Sequence, residues 1–106
     1  MASESWPERH PRKLLTLISE AMLERALIED CLRLGAQGYT VLDVRGGGPG
    51  GERPGQWEAE RSIEMQVVCT DEVAQAIAAH VLKTYAPDYA VRLFLSEVSV
   101  FRQAIF

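Results

Sequence analysis

The stretch Gly35–Val68, GAQGYTVLDVRGGGPGGERPGQWEAERSIEMQVV, decides the fold. Its two ends read as strands and its middle as a loop. "YTVLDVR" combines β-branched residues with alternation, and "SIEMQVVC" puts Ile63, Met65 and Val67 on one face against Glu64 and Gln66 on the other. Between them, six of the chain's eight glycines fall from Gly46 to Gly55. Glycine loses more backbone freedom on ordering than any other residue, so this segment is the costliest part of the chain to fix. A loop this long inside a compact domain is either a working part or a disordered tether.

Working outward, "KLLTLIS" (Lys13–Ser19) is an apolar run of strand length, and Ser19 with Glu20 reads as the N-cap and first-turn acid of a helix. Leu23, Ala26, Leu27, Cys31 and Leu34 then recur at helical spacing, and Gly35 and Gly38 offer the stop. Downstream, Thr70 with Asp71 and Glu72 opens a second helix whose stripe is Val73, Ala74, Ile77, Ala78, Val81 and Leu82, with Pro87 marking its end. "AVRLFLSEVSVFR" (Ala90–Arg102) is the last strand, long enough to predict a bend near Ser96 and Glu97. The order β-α-β-β-α-β predicts an α+β, ferredoxin-like fold: one four-stranded antiparallel sheet with both helices on one face. Strands one and four are apolar on both sides (Leu14, Leu15, Leu17 and Ile18; Val91, Leu93, Phe94 and Leu95), and oligomerisation is the simplest cover for the face the helices leave bare.

The length of 106 residues fits one domain, read here as 13–106 behind a flexible arm of residues 1–12. The net charge of −4 argues against a nonspecific nucleic-acid or anionic-membrane binder, so an anion must be met locally. No run of about 18 apolar residues predicts a membrane span, and "MASESWPERHPRK" lacks the apolar core of a signal peptide. Cys31 and Cys69 read as buried thiols, which fits a cytoplasmic setting. With His10 and His80 they form no pair at metal-site spacing, and His80 reads as a partly exposed helix residue. No histidine stands with a nucleophile and an acid, so no catalytic residue is assigned.

"GGGPGGERPG" lacks the Lys-Ser/Thr of a phosphate-binding P-loop and does not open a helix. What distinguishes it is its flank. Arg45 stands at the strand exit, Gly46 to Gly48 let backbone N–H groups approach an anion, and Arg53 and Arg61 lie further out. This is a phosphate corner, or else a solvated hairpin loop kept soluble by its arginines. Trp57, an aromatic in a polar loop, fits a partner-binding anchor.

These residues resemble a known family. "ALIEDCLRLGAQGYTVLDVRGGGPGG" is similar to the stretch of PII signalling proteins in which the first helix ends, a Gly-x-x-Gly-x-Thr-Val strand follows, and a basic residue with Gly-x-Gly opens the T-loop. The similarity resumes at "IEMQVV" and again at "EVSVFR", so that it covers most of Lys13–Arg102. The resemblance implies a homotrimer with adenine nucleotide in clefts between subunits and the T-loop, residues 46–61, signalling to a partner. Carried over residue by residue, it implies Thr40 near the adenine, Arg45, Gly46, Gly47 and Gly48 over the phosphates, Glu64 at the base or ribose, and Arg102 on phosphate. Tyr89 joins the implied nucleotide site from the run that stands where the family has its phosphate loop.

The departures are specific. Gly50 stands where the family's glutamine helps to hold magnesium and 2-oxoglutarate; no tyrosine lies between Gly46 and Arg61 to be uridylylated; and "APDY" (Ala86–Tyr89) replaces the family's Gly-Asp-Gly-Lys. Fewer phosphate contacts favour ADP or AMP over ATP. The glycine-rich loop and the run Tyr85–Ala90 look like the divergent PII-like proteins associated with bicarbonate transporters and carboxysomes. That likeness implies bicarbonate as a second ligand, at Arg45, Gly46 and Gly47, and a bicarbonate transporter or other carbon-metabolism protein as partner. Two alternatives share the fold: a CutA-like structural or metal-tolerance trimer, and a small ferredoxin-like enzyme using Glu64 or Asp43 as base.

Overall fold

The computed structural model describes residues 5–48, 51–52 and 61–106. The elements run β1 (His10–Glu20), α1 (Glu24–Arg33), β2 (Thr40–Val44), β3 (Gly47–Gly48), β4 (Gly51–Glu52), β5 (Ser62–Cys69), α2 (Asp71–Thr84) and β6 (Arg92–Val100). The main sheet has four strands in the order β2-β5-β1-β6, every pair antiparallel. With α1 and α2 as the crossovers this is the expected ferredoxin-like arrangement. β3 and β4 form a separate two-stranded ladder, Gly47 opposite Glu52 and Gly48 opposite Gly51.

Alternation sorts the sheet into two faces. Leu15 and Leu17 of β1 lie opposite Val67 and Met65 of β5, and all four are buried. They close on Leu23, Leu27 and Cys31 from the first helical segment and on Ala74, Ile77 and Val81 from α2, with Val41 and Leu93 partly buried at the margin. The other face carries Leu14, Ile18, Leu42 and Phe94, of which Leu42 and Phe94 are about half exposed at 42% and 53%.

α1 ends where its glycine requires. Gly35 has φ +116°, Gly35 N donates to Leu32 O at 3.2 Å, and Ala36 N donates to Cys31 O at 2.9 Å. This is a Schellman closure, which needs a left-handed residue at that place. α2 opens as its sequence dictates, with Thr70 Oγ1 accepting from Val73 N at 3.4 Å.

Four expectations are corrected. Residues His10–Arg12, assigned above to the arm, belong to β1 and pair with Val100–Val98. Ser19 is no helix cap: it stays in the strand, buried, donating to Glu20 O at 3.0 Å, and a 3₁₀ turn (Ala21–Leu23) intervenes before α1. The apolar run carries the strand past Ser19 because pairing with β5 continues to Glu20, opposite Ser62. Leu82 is 55% exposed, one position off the buried stripe. β6 passes Ser96 and Glu97 in unbroken register, opposite Leu14 and Lys13, without a bulge.

Candidate functional site

The neck of the long loop is where β2 leaves the sheet and β5 enters it. Val44 pairs with Ser62, and Ser62 pairs on its other side with Glu20. Ala21 N donates to Arg61 O at 2.8 Å, and Arg61 Nη2 meets Asp43 Oδ1 at 2.6 Å, an ion pair that spans the neck. An open groove of about 330 Å³ lies beside this pair, bounded by Asp43, Val44, Arg45, Arg61 and Ser62.

On the face away from the helices is a second, more enclosed groove of about 220 Å³. Its walls come from the four strands of the main sheet, from the link between β2 and β3 with Gly47 of β3, and from the turn before β6. Register sets Leu42, Glu64, Ile18 and Arg92 in one row across the sheet. Ile18, Glu64 and Arg92 of that row line the groove with Arg45, Gly46, Gly47 and Ala90. Glu64 and Arg92 stand two strands apart, about 10 Å, and Glu64 accepts instead from Gln66 Nε2 at 2.9 Å. Among the described residues neither Arg45 nor Arg92 has a hydrogen-bond or ion-pair partner. A Cβ added at Gly46 would meet nothing within 4 Å, so the space over this backbone is open. Two uncommitted guanidinium groups beside glycine backbone suit an anion, and the facing Glu64 suits the donors of a polar group attached to it.

The groove unites Arg45, Gly46, Gly47 and Glu64 among the residues singled out in the sequence. Gly48 follows in β3, and Thr40 lies on the same face as Glu64, paired with Gln66 one row along. Tyr89 does not line the groove; it packs half-buried against the core with its ring 6.4 Å from that of Tyr85, while the next residue, Ala90, reaches the groove. Arg102 lies past the far end of β6. Ile18 to His10 along β1, opposite Arg92 to Val100, is about 27 Å at strand rise. Arg53 and Trp57 lie outside the described residues.

Arg92 is the charged groove residue that the sequence did not single out. Its signal was its parity with Phe94 on the bare face of a strand, but only the β1–β6 register places it in the Glu64 row.

The far end is ordered by its own contacts. Arg12 Nε donates to Phe106 O at 3.2 Å, Trp6 stacks on Phe101 with centroids 6.0 Å apart, and Arg9 lies 5.8 Å over the Trp6 ring. Cys31 and Cys69 are buried free thiols; desolvation pushes Cys31 up to about 11 and raises Cys69 as well. Among the described residues no group of three or more His, Cys, Asp or Glu side chains is placed to hold a metal, and no helix is long and apolar enough to cross a membrane.

Residues 12–104 match the family model for nitrogen regulatory protein P-II. A solved PII-like signaling protein from Thermus thermophilus is 36% identical, with TM-score 0.80 over 92% of this chain and 96% of that one. CPII from Thiomonas intermedia, a nitrogen regulatory PII-like protein solved with ADP, AMP and bicarbonate, superposes with TM-score 0.84 over 93% of this chain and 96% of its own. At 20% identity that second likeness is one of fold.

Proposed function

The chain belongs to the nitrogen regulatory P-II family, and on that premise we propose that it is a non-catalytic sensor of adenine nucleotide, ADP or AMP, with bicarbonate as second ligand. The observation that carries this reading is the groove with Arg45, Arg92 and the Gly46–Gly47 backbone at the neck of the long loop. The phosphates bind over Arg45, Arg92 and Gly46–Gly48; Glu64 and Thr40 face the nucleoside; and bicarbonate sits against Arg45, Gly46 and Gly47. CPII, solved with both classes of ligand, supports the pairing.

The ligand site is shared between subunits of a homotrimer. Two features support this: the face away from the helices, on which Leu42 and Phe94 stand half exposed, and the separation of Arg102 from Arg45 within one chain, which a neighbouring copy can bridge. Ligand occupancy sets the state of the 46–61 loop, and the loop binds or releases a partner in cytoplasmic carbon metabolism, such as a bicarbonate transporter. This needs only that the ligands favour one loop state over the other.

Equilibrium titration with AMP, ADP and ATP, each with and without bicarbonate, tests the reading. Tighter binding of ADP or AMP in the presence of bicarbonate is expected, and an equal tightening of bicarbonate in the presence of nucleotide, because coupling is reciprocal. Sedimentation should give a trimer. A stable monomer that binds no adenine nucleotide at millimolar concentration would refute it.

A further inference from the structure

The helix layer carries a polar cluster that the proposed ligand site leaves unused. Asp30 on α1 has a side chain only 18% exposed. Its Oδ2 accepts from the Tyr85 hydroxyl at 2.5 Å and lies 2.9 Å from His80 Nε2, and its Oδ1 accepts from Arg33 Nη2 at 3.2 Å. The Thr84 hydroxyl stands 3.4 Å from His80 Nδ1, where donation by Thr84 would leave the proton on Nε2 for Asp30. The rings of His80 and Tyr85 meet edge to face at 5.9 Å. Burial works to raise the Asp30 carboxyl, but the bonds from Tyr85, His80 and Arg33 outweigh it and hold the acid below its ordinary value. Burial and the bond to Asp30 push the Tyr85 hydroxyl up to about 12. The pair is therefore a carboxylate and a neutral phenol at working pH.

Tyr85 is also the first residue of the turn that leads to the groove. Its carbonyl accepts from Asp88 N at 3.0 Å and Tyr89 N at 2.9 Å, and Tyr89 O accepts from Val91 N at 2.9 Å. The residues flanking Val91, Ala90 and Arg92, line the groove on the other face of the sheet. One end of this turn is tied to α1 through a phenol, and the other carries one of the two uncommitted arginines.

We infer that Asp30 is a positioning residue for the groove: by holding Tyr85 it fixes the 85–91 turn, and with it the point from which Arg92 reaches a bound anion. The inference rests on the groove's being the anion site. It makes α1, remote from the ligand, part of what sets affinity. Because hydrogen bonds to a charged acceptor exceed neutral ones, the tether is strongest while Asp30 is ionised.

The test uses the full chain and three variants. Tyr85→Phe removes the hydroxyl alone, Asp30→Asn keeps the shape and removes the charge, and Arg33→Gln removes another Asp30 partner with no link to the turn. ADP affinity is measured by calorimetry, with melting temperature and amide exchange over 86–91 alongside. Tyr85→Phe and Asp30→Asn should each weaken ADP about three- to tenfold, and the double variant should be no worse than the more affected single, because both act on one bond, the first by deleting it and the second by taking away the acceptor's charge. Faster exchange should be confined to 86–91, and Arg33→Gln should bind ADP as the parent does. Parent-like affinity and exchange in Tyr85→Phe would overturn the inference alone, as would an equal loss in Arg33→Gln. Failure of the parent to bind ADP would overturn the groove reading and the inference with it.

Discussion

Replacing Arg92 by alanine separates ligand binding from folding. Arg92 is exposed, its cross-strand neighbour is the apolar Ile18, and among the described residues it has no hydrogen-bond or ion-pair partner. Glu64 is the carboxylate in its row, about 10 Å away; at that distance two unit charges in water attract by about 0.4 kcal/mol before salt screening. Removing Arg92 should therefore change folding stability by no more than about 0.5 kcal/mol. A charge-assisted bond to phosphate is worth about 1.5–3 kcal/mol, which predicts a loss of roughly ten- to a hundredfold in ADP affinity. Arg92→Glu should lose more, because it adds repulsion. The assay pairs ADP titration with urea denaturation of the same samples. Unchanged ADP affinity in Arg92→Ala would show that the side chain borders the ligand without touching it, and affinity falling in step with stability would show a structural role instead.

Gly35→Ala should destabilise the fold by roughly 1–2 kcal/mol from the left-handed backbone alone, and by more because its Cβ would stand 3.0 Å from Val73 Cγ2; chemical denaturation measures it. Asp30 is depressed in the folded state, so its contribution to stability is present above its unfolded value near 3.8 and is lost as pH falls through the lower folded value. Asp30→Asn should flatten that acid limb in pH-dependent denaturation curves. Tyr85 has the opposite sign: raised from 10 to about 12, it should lose its stabilisation as pH climbs through that interval, and Tyr85→Phe should not. Amide exchange across 46–61 should slow when ADP and bicarbonate are present together, and equal exchange in every condition would reduce the loop to a passive tether.

The fold was legible because its signals are local. β5 runs over Ser62–Cys69 as its alternation predicts, Thr70 caps α2, and Gly35 closes α1. At the two ends of β1 a partner strand decided: His10–Arg12 joined β1 because β6 extends to Val100, and Ser19 stayed in the sheet because Ser62 continues the ladder at Glu20. The groove divides the same way. Arg45 and Gly46–Gly47 announce themselves by contiguity, whereas Arg92 gains its place through a register shared by three strands. Tyr89 followed its apolar ring into the core although its neighbour Ala90 faces the groove. The Asp30 cluster joins residues fifty and fifty-five positions apart, beyond the reach of any helical spacing.

The two buried sulfhydryls give the molecule a practical property. Cys31 and Cys69 are the chain's only cysteines, and burial raises both thiols, Cys31 to about 11, which keeps the reactive thiolate scarce at neutral pH. Oxidants and maleimides attack the thiolate, so both positions should stay silent while the fold is intact. A single reporter can then be placed where it is wanted. Gly46→Cys puts a side chain into open space at the mouth of the groove, and its labelling rate would record the arrival of a ligand in real time, on a background the native protein keeps dark.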